Sequence, residues 1–135
     1  MMTEVSRKRL QLAEQFVASL GRADVDGAVG LLSSSVLYRV EGVHPLAGTF
    51  SADEVVDHLH ALIQRTSGTM DATKFEDWLT GEHYVGCIVR VTFHANRRRF
   101  SGRVFYLMRF DDVDLIDHFT VFFEDADALS RFLGE

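Results

Sequence analysis

The chain has one cysteine, one proline and one tryptophan in 135 residues, and only two lysines beside twelve arginines. A lone Cys87 excludes an intramolecular disulfide, a zinc–thiolate cluster and a redox pair. It lies in an apolar run, which reads as a buried, inert thiol before it reads as a nucleophile. No stretch approaches the length needed to cross a bilayer, so no membrane partner is expected. The first ten residues are charged and lack the apolar core of a signal peptide, so a cytoplasmic location is expected. Positive charge is also scarce. Fourteen Lys and Arg face twenty Asp and Glu, and a net charge of −6 repels a phosphate backbone, so no nucleic-acid partner is expected. Arg97, Arg98 and Arg99 form the one basic run and read as a solvated turn. The arginine preference hints at a GC-rich bacterial genome. Low proline content, with no repeat or low-complexity tract, leaves a single domain over 1–135.

What the chain has is apolar material, 47% of residues, with 11 Phe. Its first half carries helical periodicity. Over 7–20, Leu12, Ala13, Phe16, Val17 and Leu20 recur on one face, and Gly21 ends the helix. Asp24 is a candidate N-cap for a short second helix with Val25, Ala28, Val29 and Leu32 inward, broken by Ser33 to Ser35. A strand over 36–41 and a loop over 42–48 follow. Ser51 and Glu54 stand at capping-box spacing before a third helix with Val55, Val56, Leu59, Leu62 and Ile63 buried. His58 and His60, two apart, point in different directions and read as flank residues. None of the six histidines stands at metal-motif spacing, so no metal or other cofactor is expected.

From residue 71 the period changes to that of strands. Segments 72–80, 84–95, 100–110 and 113–123 read as four antiparallel strands joined by short turns, and Asp125 caps a last helix. Helices first and antiparallel strands after define an α+β domain. A strongly bent sheet wrapped on three helices encloses a cone with a mouth.

Several local phrases resemble the SnoaL-like branch of the nuclear-transport-factor-two-like superfamily, whose fold is cystatin-like. Gly42, Pro45, Leu46, Ala47 and Gly48 form a Gly-x-x-Pro-Leu-Ala-Gly turn between two strands in 36–50. Asp53, Glu54, Val55 and Val56 resemble the start of the family's third helix. Ser67, Gly68 and Thr69, the hairpin over 106–119 and the acidic turn at Asp125 also fit. One departure is the last hairpin turn, where Asp111, Asp112 and Val113 stand in place of the family's usual glycine. The resemblance implies a pocket inside the cone for a small hydrophobic molecule. The family holds isomerases, hydrolases, polyketide cyclases and many proteins that catalyse nothing.

Turn lengths decide which side chains would see that pocket. A three-residue loop of Asn96, Arg97 and Arg98 pairs Ala95 with Arg99 and sets Arg90 opposite Val104 and Ile88 opposite Tyr106. Ile88, Arg90, Thr92, Val104, Tyr106 and Met108 then share one face. In the ketosteroid isomerase branch a pocket acid matches Tyr106, and in the limonene epoxide hydrolase branch an Arg-x-Asp pair matches Arg90 and Thr92, so the resemblance assigns that face to the cavity. Thr92 is no carboxylate, which counts against epoxide hydrolysis. A two-residue turn at Asp111 and Asp112 sets Asp117 opposite Tyr106, while a turn one residue longer sends His118 inward instead.

The expected catalytic set is Asp117 as general acid–base, with Tyr106 and Arg90 assisting. Tyr38, Trp78 and His118 join Ile88, Thr92, Val104 and Met108 as ligand-binding candidates. Asp117 reads equally as an ion-pair partner of Arg90 or Arg109 at the rim, Tyr38 and Tyr106 as core aromatics with satisfied hydroxyls, and Trp78 as a pocket-wall or interface residue. The functional expectations are an isomerase, cyclase or hydrolase acting on a polyketide-like or terpenoid molecule, or a non-catalytic binding module. Both sheet faces are apolar, so a homodimer through the outer one is expected.

Overall fold

The Thr3 hydroxyl accepts the Ser6 amide at 3.1 Å and opens helix α1 (Glu4–Gly21) in the computed structural model, which describes residues 2–65, 71–95 and 97–134. For 65, 71–75 and 95 only the backbone is described. Ala13, Phe16, Val17 and Leu20 form the buried stripe of α1. The left-handed turn after it falls on Ala23 (φ 58°) rather than on Gly21. Asp24 then caps α2 (Val25–Val29) by accepting the Gly27 amide at 2.9 Å. That helix is shorter than its apolar spacing implied. Leu32 already belongs to strand β1 (Leu32–Val40), and Ser33 and Ser35 bond to each other inside its irregular first half. Their hydroxyls end a helix without preventing a strand.

Strand β2 (Gly48–Phe50) returns against β1, and α3 (Ala52–Arg65) follows. Glu54 reaches back to both the amide and the hydroxyl of Ser51, each at 3.0 Å, so half of the expected capping box forms. Strands β3 (Asp71–Thr80), β4 (Tyr84–Ala95), β5 (Arg98–Phe110) and β6 (Ile116–Phe123) make the expected antiparallel meander, and α4 (Ala126–Phe132) closes the chain. One sheet runs β2-β1-β6-β5-β4-β3, with β1 parallel to β6. Bulges in β3, β1 and β6 bend it. α1 packs on β3 and β4, α3 on β1 and β2, and α4 on β5, so the helices fill one face. Among the described residues no helix is long and apolar enough to cross a membrane. Ser67, Gly68, Thr69 and Asn96 lie outside the described residues.

Two turns differ from expectation, and both move the site. Ala95 pairs with Arg98, leaving a two-residue turn with Arg97 at φ 68°, the positive φ that such hairpins need. Arg90 therefore faces Arg103, Ile88 faces Phe105, and Cys87 faces Tyr106. The one-residue slip turns Ile88, Arg90 and Thr92 to the outer face. It buries Val85, Cys87, Val89, Val91 and Phe93 instead, an unbroken apolar set that gains more from leaving water.

The second turn spans five residues. The Asp111 amide donates to the Leu115 carbonyl at 2.8 Å, and the Asp111 carboxylate accepts the amides of Val113 and Leu115 at 3.0 Å each. Asp114 takes the positive φ of 61° that glycine usually supplies. Val113 stays exposed and β6 starts at Ile116. Phe110 pairs with Ile116 but Arg109 with His118, so Asp117 is the extra residue of a bulge. Val121, not Asp117, stands opposite Tyr106.

Arg9, only 7% exposed, ties this turn to the rest of the molecule. Its guanidinium donates to the Asp114 carboxylate at 3.0 Å, the Glu82 carbonyl at 2.6 Å and the Asp111 carbonyl at 3.0 Å. One side chain thus joins α1 to both the β3–β4 and β5–β6 turns. Arg9→Met keeps the stem but removes the donor to the Glu82 carbonyl and one donor each from the Asp111 carbonyl, which keeps the Asp114 amide, and the Asp114 carboxylate, which keeps Lys8. It is expected to lower unfolding stability by roughly 2–3 kcal/mol, read as a fall in the urea midpoint with an unchanged m-value. A midpoint within error of wild type would show that water replaces the guanidinium at no cost.

Candidate functional site

The concave face of the sheet and the inner stripe of α3 meet around a small cavity of about 30 Å³, room for about two waters. β1 contributes Tyr38 and Val40, β5 contributes Tyr106, and β6 contributes Phe119, Val121 and Phe123. Helix α3 contributes His58, Leu59 and Leu62, and Leu46 closes the wall from loop 41–47. Phe119 fills the centre. Its ring stacks on Tyr38 at 5.2 Å, meets Tyr106 at 5.5 Å and meets Phe16 edge-on at 4.7 Å. None of the lining side chains carries a fixed charge.

Polarity in this wall is confined to three groups. The Tyr38 and Tyr106 hydroxyls make no hydrogen bond to another described residue, and burial holds both well above the ordinary phenol pKa. They stay protonated and available as donors. His58 faces the Leu46 carbonyl through Nε2 at 3.2 Å, and a carbonyl only accepts, so Nε2 carries the proton. Nδ1 is then a bare acceptor. It is buried and has no partner among the described residues. Burial also pushes the His58 pKa below its ordinary value, with the Leu46 contact opposing, so the neutral ring is favoured.

His58 was read as a flank residue, and the structure corrects this. The missed signal was spacing. Val55, His58, Leu59 and Leu62 stand at i, i+3, i+4 and i+7, so His58 shares the buried stripe.

The other expected site residues divide between the two faces. Tyr38 and Tyr106 reach the cavity as expected. Val104 and Met108 lie on the same inner face but are absorbed in the core. Trp78 packs against that core beside Cys87, away from the cavity lining. Burial pushes the Cys87 thiol up to about 12, as an inert thiol requires. Ile88 lines an outer groove with Phe105 and Phe122. Arg90 also faces outward, and the Thr92 hydroxyl donates to Ser101 at 3.4 Å there.

Asp117 lies outside the cavity as well. It accepts from Arg109 Nε at 2.9 Å and Nη2 at 2.8 Å, and from His118 Nδ1 at 3.2 Å. The Arg109 guanidinium holds the carboxyl below its ordinary pKa, with His118 adding to the effect against a smaller opposing burial. The choice between Asp117 and His118 as the inward residue is thus answered by neither, because the bulge puts both on the outer side. Among the described residues no group of three His, Cys, Asp or Glu side chains could hold a metal ion.

No protein-family model and no curated protein matches the sequence. Solved structures do resemble the fold along nearly the whole chain. A protein with a cystatin-like fold from Xanthomonas campestris has 19% identity and a TM-score of 0.85 over 94% of this chain and 98% of its own. An NTF2-like protein from Burkholderia thailandensis E264 has 22% identity and a TM-score of 0.78 over 94% and 98%. TerC, co-crystallized with polyporic acid, has 13% identity and a TM-score of 0.80 over 94% and 98%. The chain has the cystatin-like, NTF2-like α+β fold that the family resemblance implied.

A lowered His58 pKa has a stability consequence of definite sign. The unfolded chain binds the His58 proton more readily than the native one does, so this residue costs stability as pH falls through its ordinary value of 6.5 toward the depressed native value. Urea midpoints at pH 7.5 and 5.5 are expected to separate less in His58→Phe than in wild type, other histidines contributing equally to both. Equal separation would mean that His58 is no harder to protonate folded than unfolded.

Proposed function

We propose that the cone takes up a small, uncharged hydrophobic molecule, polyketide-like or terpenoid in character, and performs general acid–base chemistry on it. The observation that carries this reading is the buried Nδ1 of His58, without a partner among the described residues, on a ring that lines the cavity together with Tyr38 and Tyr106. A neutral imidazole accepts a proton from a carbon beside a carbonyl, while Tyr38 or Tyr106 donates to the oxygen on which charge develops. The imidazolium then returns the proton elsewhere on the substrate, which is an isomerisation or ring closure with no net change in atoms. In this reading Asp117 is a clasp with Arg109 and takes no part. TerC, a protein of similar fold, has been co-crystallized with polyporic acid, which supports an organic ligand for this fold.

A second reading is favoured by one observation: Phe119 leaves only about 30 Å³ open, which suits a packed, non-catalytic module. In either case the outer face, with Leu37, Leu79, Tyr84 and Phe122 turned to solvent beside a half-buried Phe105, supports a homodimer that covers it.

Two-dimensional NMR with uncharged polycyclic ketones and phenols tests the first reading. Shifts are expected at His58, Tyr106 and Phe119, and turnover of any substrate found is expected to fall about 10²- to 10⁴-fold in His58→Gln while Asp117→Asn stays within threefold. Shifts confined to the outer groove, or loss of turnover in Asp117→Asn instead, would overturn it. Sedimentation at micromolar concentration is expected to give a dimer, and Phe105→Arg a monomer; a wild-type monomer rules out the covered face.

A further inference from the structure

The cavity wall carries a definite pattern of donors and acceptors, and that pattern narrows the ligand. His58 Nε2–H is committed to the Leu46 carbonyl, so the ring has a single free function, the acceptor Nδ1. A buried acceptor without a donor is costly, and a ligand that supplies the donor recovers that cost. The ring is also held in place. Phe50 lies against it at 4.2 Å and Tyr38 meets it edge-on at 5.2 Å, so Nδ1 cannot swing away without giving up both contacts.

Anions are disfavoured by the same wall. None of the lining side chains is cationic, and a carboxylate placed against a bare nitrogen lone pair would be desolvated and repelled. The rest of the lining is aromatic and aliphatic, with Phe93, Phe119 and Phe123 presenting ring faces or edges suited to a flat molecule.

Room must come from the loop. The about 30 Å³ of open space does not hold a ring, and Leu46 is the lining side chain that comes from a loop rather than from a helix or strand. Its loop 41–47 is bounded by Gly42 (φ 114°) and Gly48 (φ 152°), conformations that favour glycine at both ends. A Cβ at Gly42 would meet the His44 ring at 2.9 Å. His44 in turn bridges the Glu41 carbonyl at 2.9 Å and the Leu46 amide at 3.2 Å, so the loop backbone is tied within itself.

We propose that the ligand of this cavity is a flat, uncharged molecule bearing a hydroxyl, a phenol or an enol, whose hydrogen is donated to His58 Nδ1 once the Leu46 side chain turns aside while its carbonyl stays on Nε2. The proposal rests on the cavity being the ligand site and specifies what that site selects. A matched set of probes tests it: 2-naphthol, its methyl ether and 2-naphthoate. Wild type is expected to bind 2-naphthol at least tenfold more tightly than the ether and to bind the carboxylate most weakly. In His58→Phe the naphthol and the ether are expected to bind alike. Because that variant alters the core, the wild-type protein supplies an independent reading: naphthol, and not the ether, shifts the His58 Nδ1 nitrogen resonance.

If the ether binds as well as naphthol, or naphthol is still preferred in His58→Phe, the hydroxyl rule is overturned while the cavity remains a ligand site. If none of the probes perturbs His58, Tyr106 or Phe119, the cavity reading falls and the ligand class falls with it.

Discussion

The pairing of Ala95 with Arg98 sets the side of the sheet that every residue of β4 takes relative to β5, and most of the molecule follows from it. Side chains alternate strictly along a strand, so this single contact sends Val85, Cys87, Val89, Val91 and Phe93 under the helices together. Tyr106 and Val104 join them from β5. The helices have their apolar stripes covered only because that face is continuous. With the opposite register Arg90 would lie under α1 and α3, in a region where none of the cavity lining could neutralise it.

The end of the sheet at the β3–β4 and β5–β6 turns is held by charges. Arg9 gathers the β3–β4 and β5–β6 turns onto α1, and Arg109 grips the bulged Asp117 on the outer side. The bulge has a packing consequence. It lets Ile116 and Phe119, three positions apart, both point inward, which a regular strand forbids. Phe119 consequently reaches the centre of the cone, where it joins Phe16, Tyr38 and Tyr106 in one aromatic cluster. A carboxylate that would have suited catalysis in sequence terms thus serves to shape the strand that fills the cavity.

The chemistry left inside is spare. Two phenols held in their protonated form and one neutral imidazole stand in a lining otherwise of hydrocarbon. In such surroundings a hydrogen bond is strong and an unmet one is costly, so three polar groups suffice to discriminate among ligands of similar size. The same scarcity links entry to selection, because the Leu46 carbonyl that fixes the His58 proton belongs to the loop that closes the wall.

Local signals in the sequence carried the elements. The apolar period of 3.6 gave α1 and α3, the Asp24 and Asp125 caps gave the starts of α2 and α4, and alternation gave the meander, since each depends on neighbours within one or two turns of chain. The family resemblance pointed to Tyr106 as a cavity-facing position, and its side chain lines the cavity. The faces of β4 were legible too, in the unbroken apolar set from Val85 to Phe93, but an assumed loop length outweighed it. Tertiary structure alone decided the rest. Turn lengths at Asn96 and Asp111 depend on which pairing buries more apolar surface across strands far apart in sequence, and Arg9 helps to hold the second from α1. Periodicity places His58 on the inner stripe of α3, but only the contact with the Leu46 carbonyl, twelve residues away, sets its proton on Nε2.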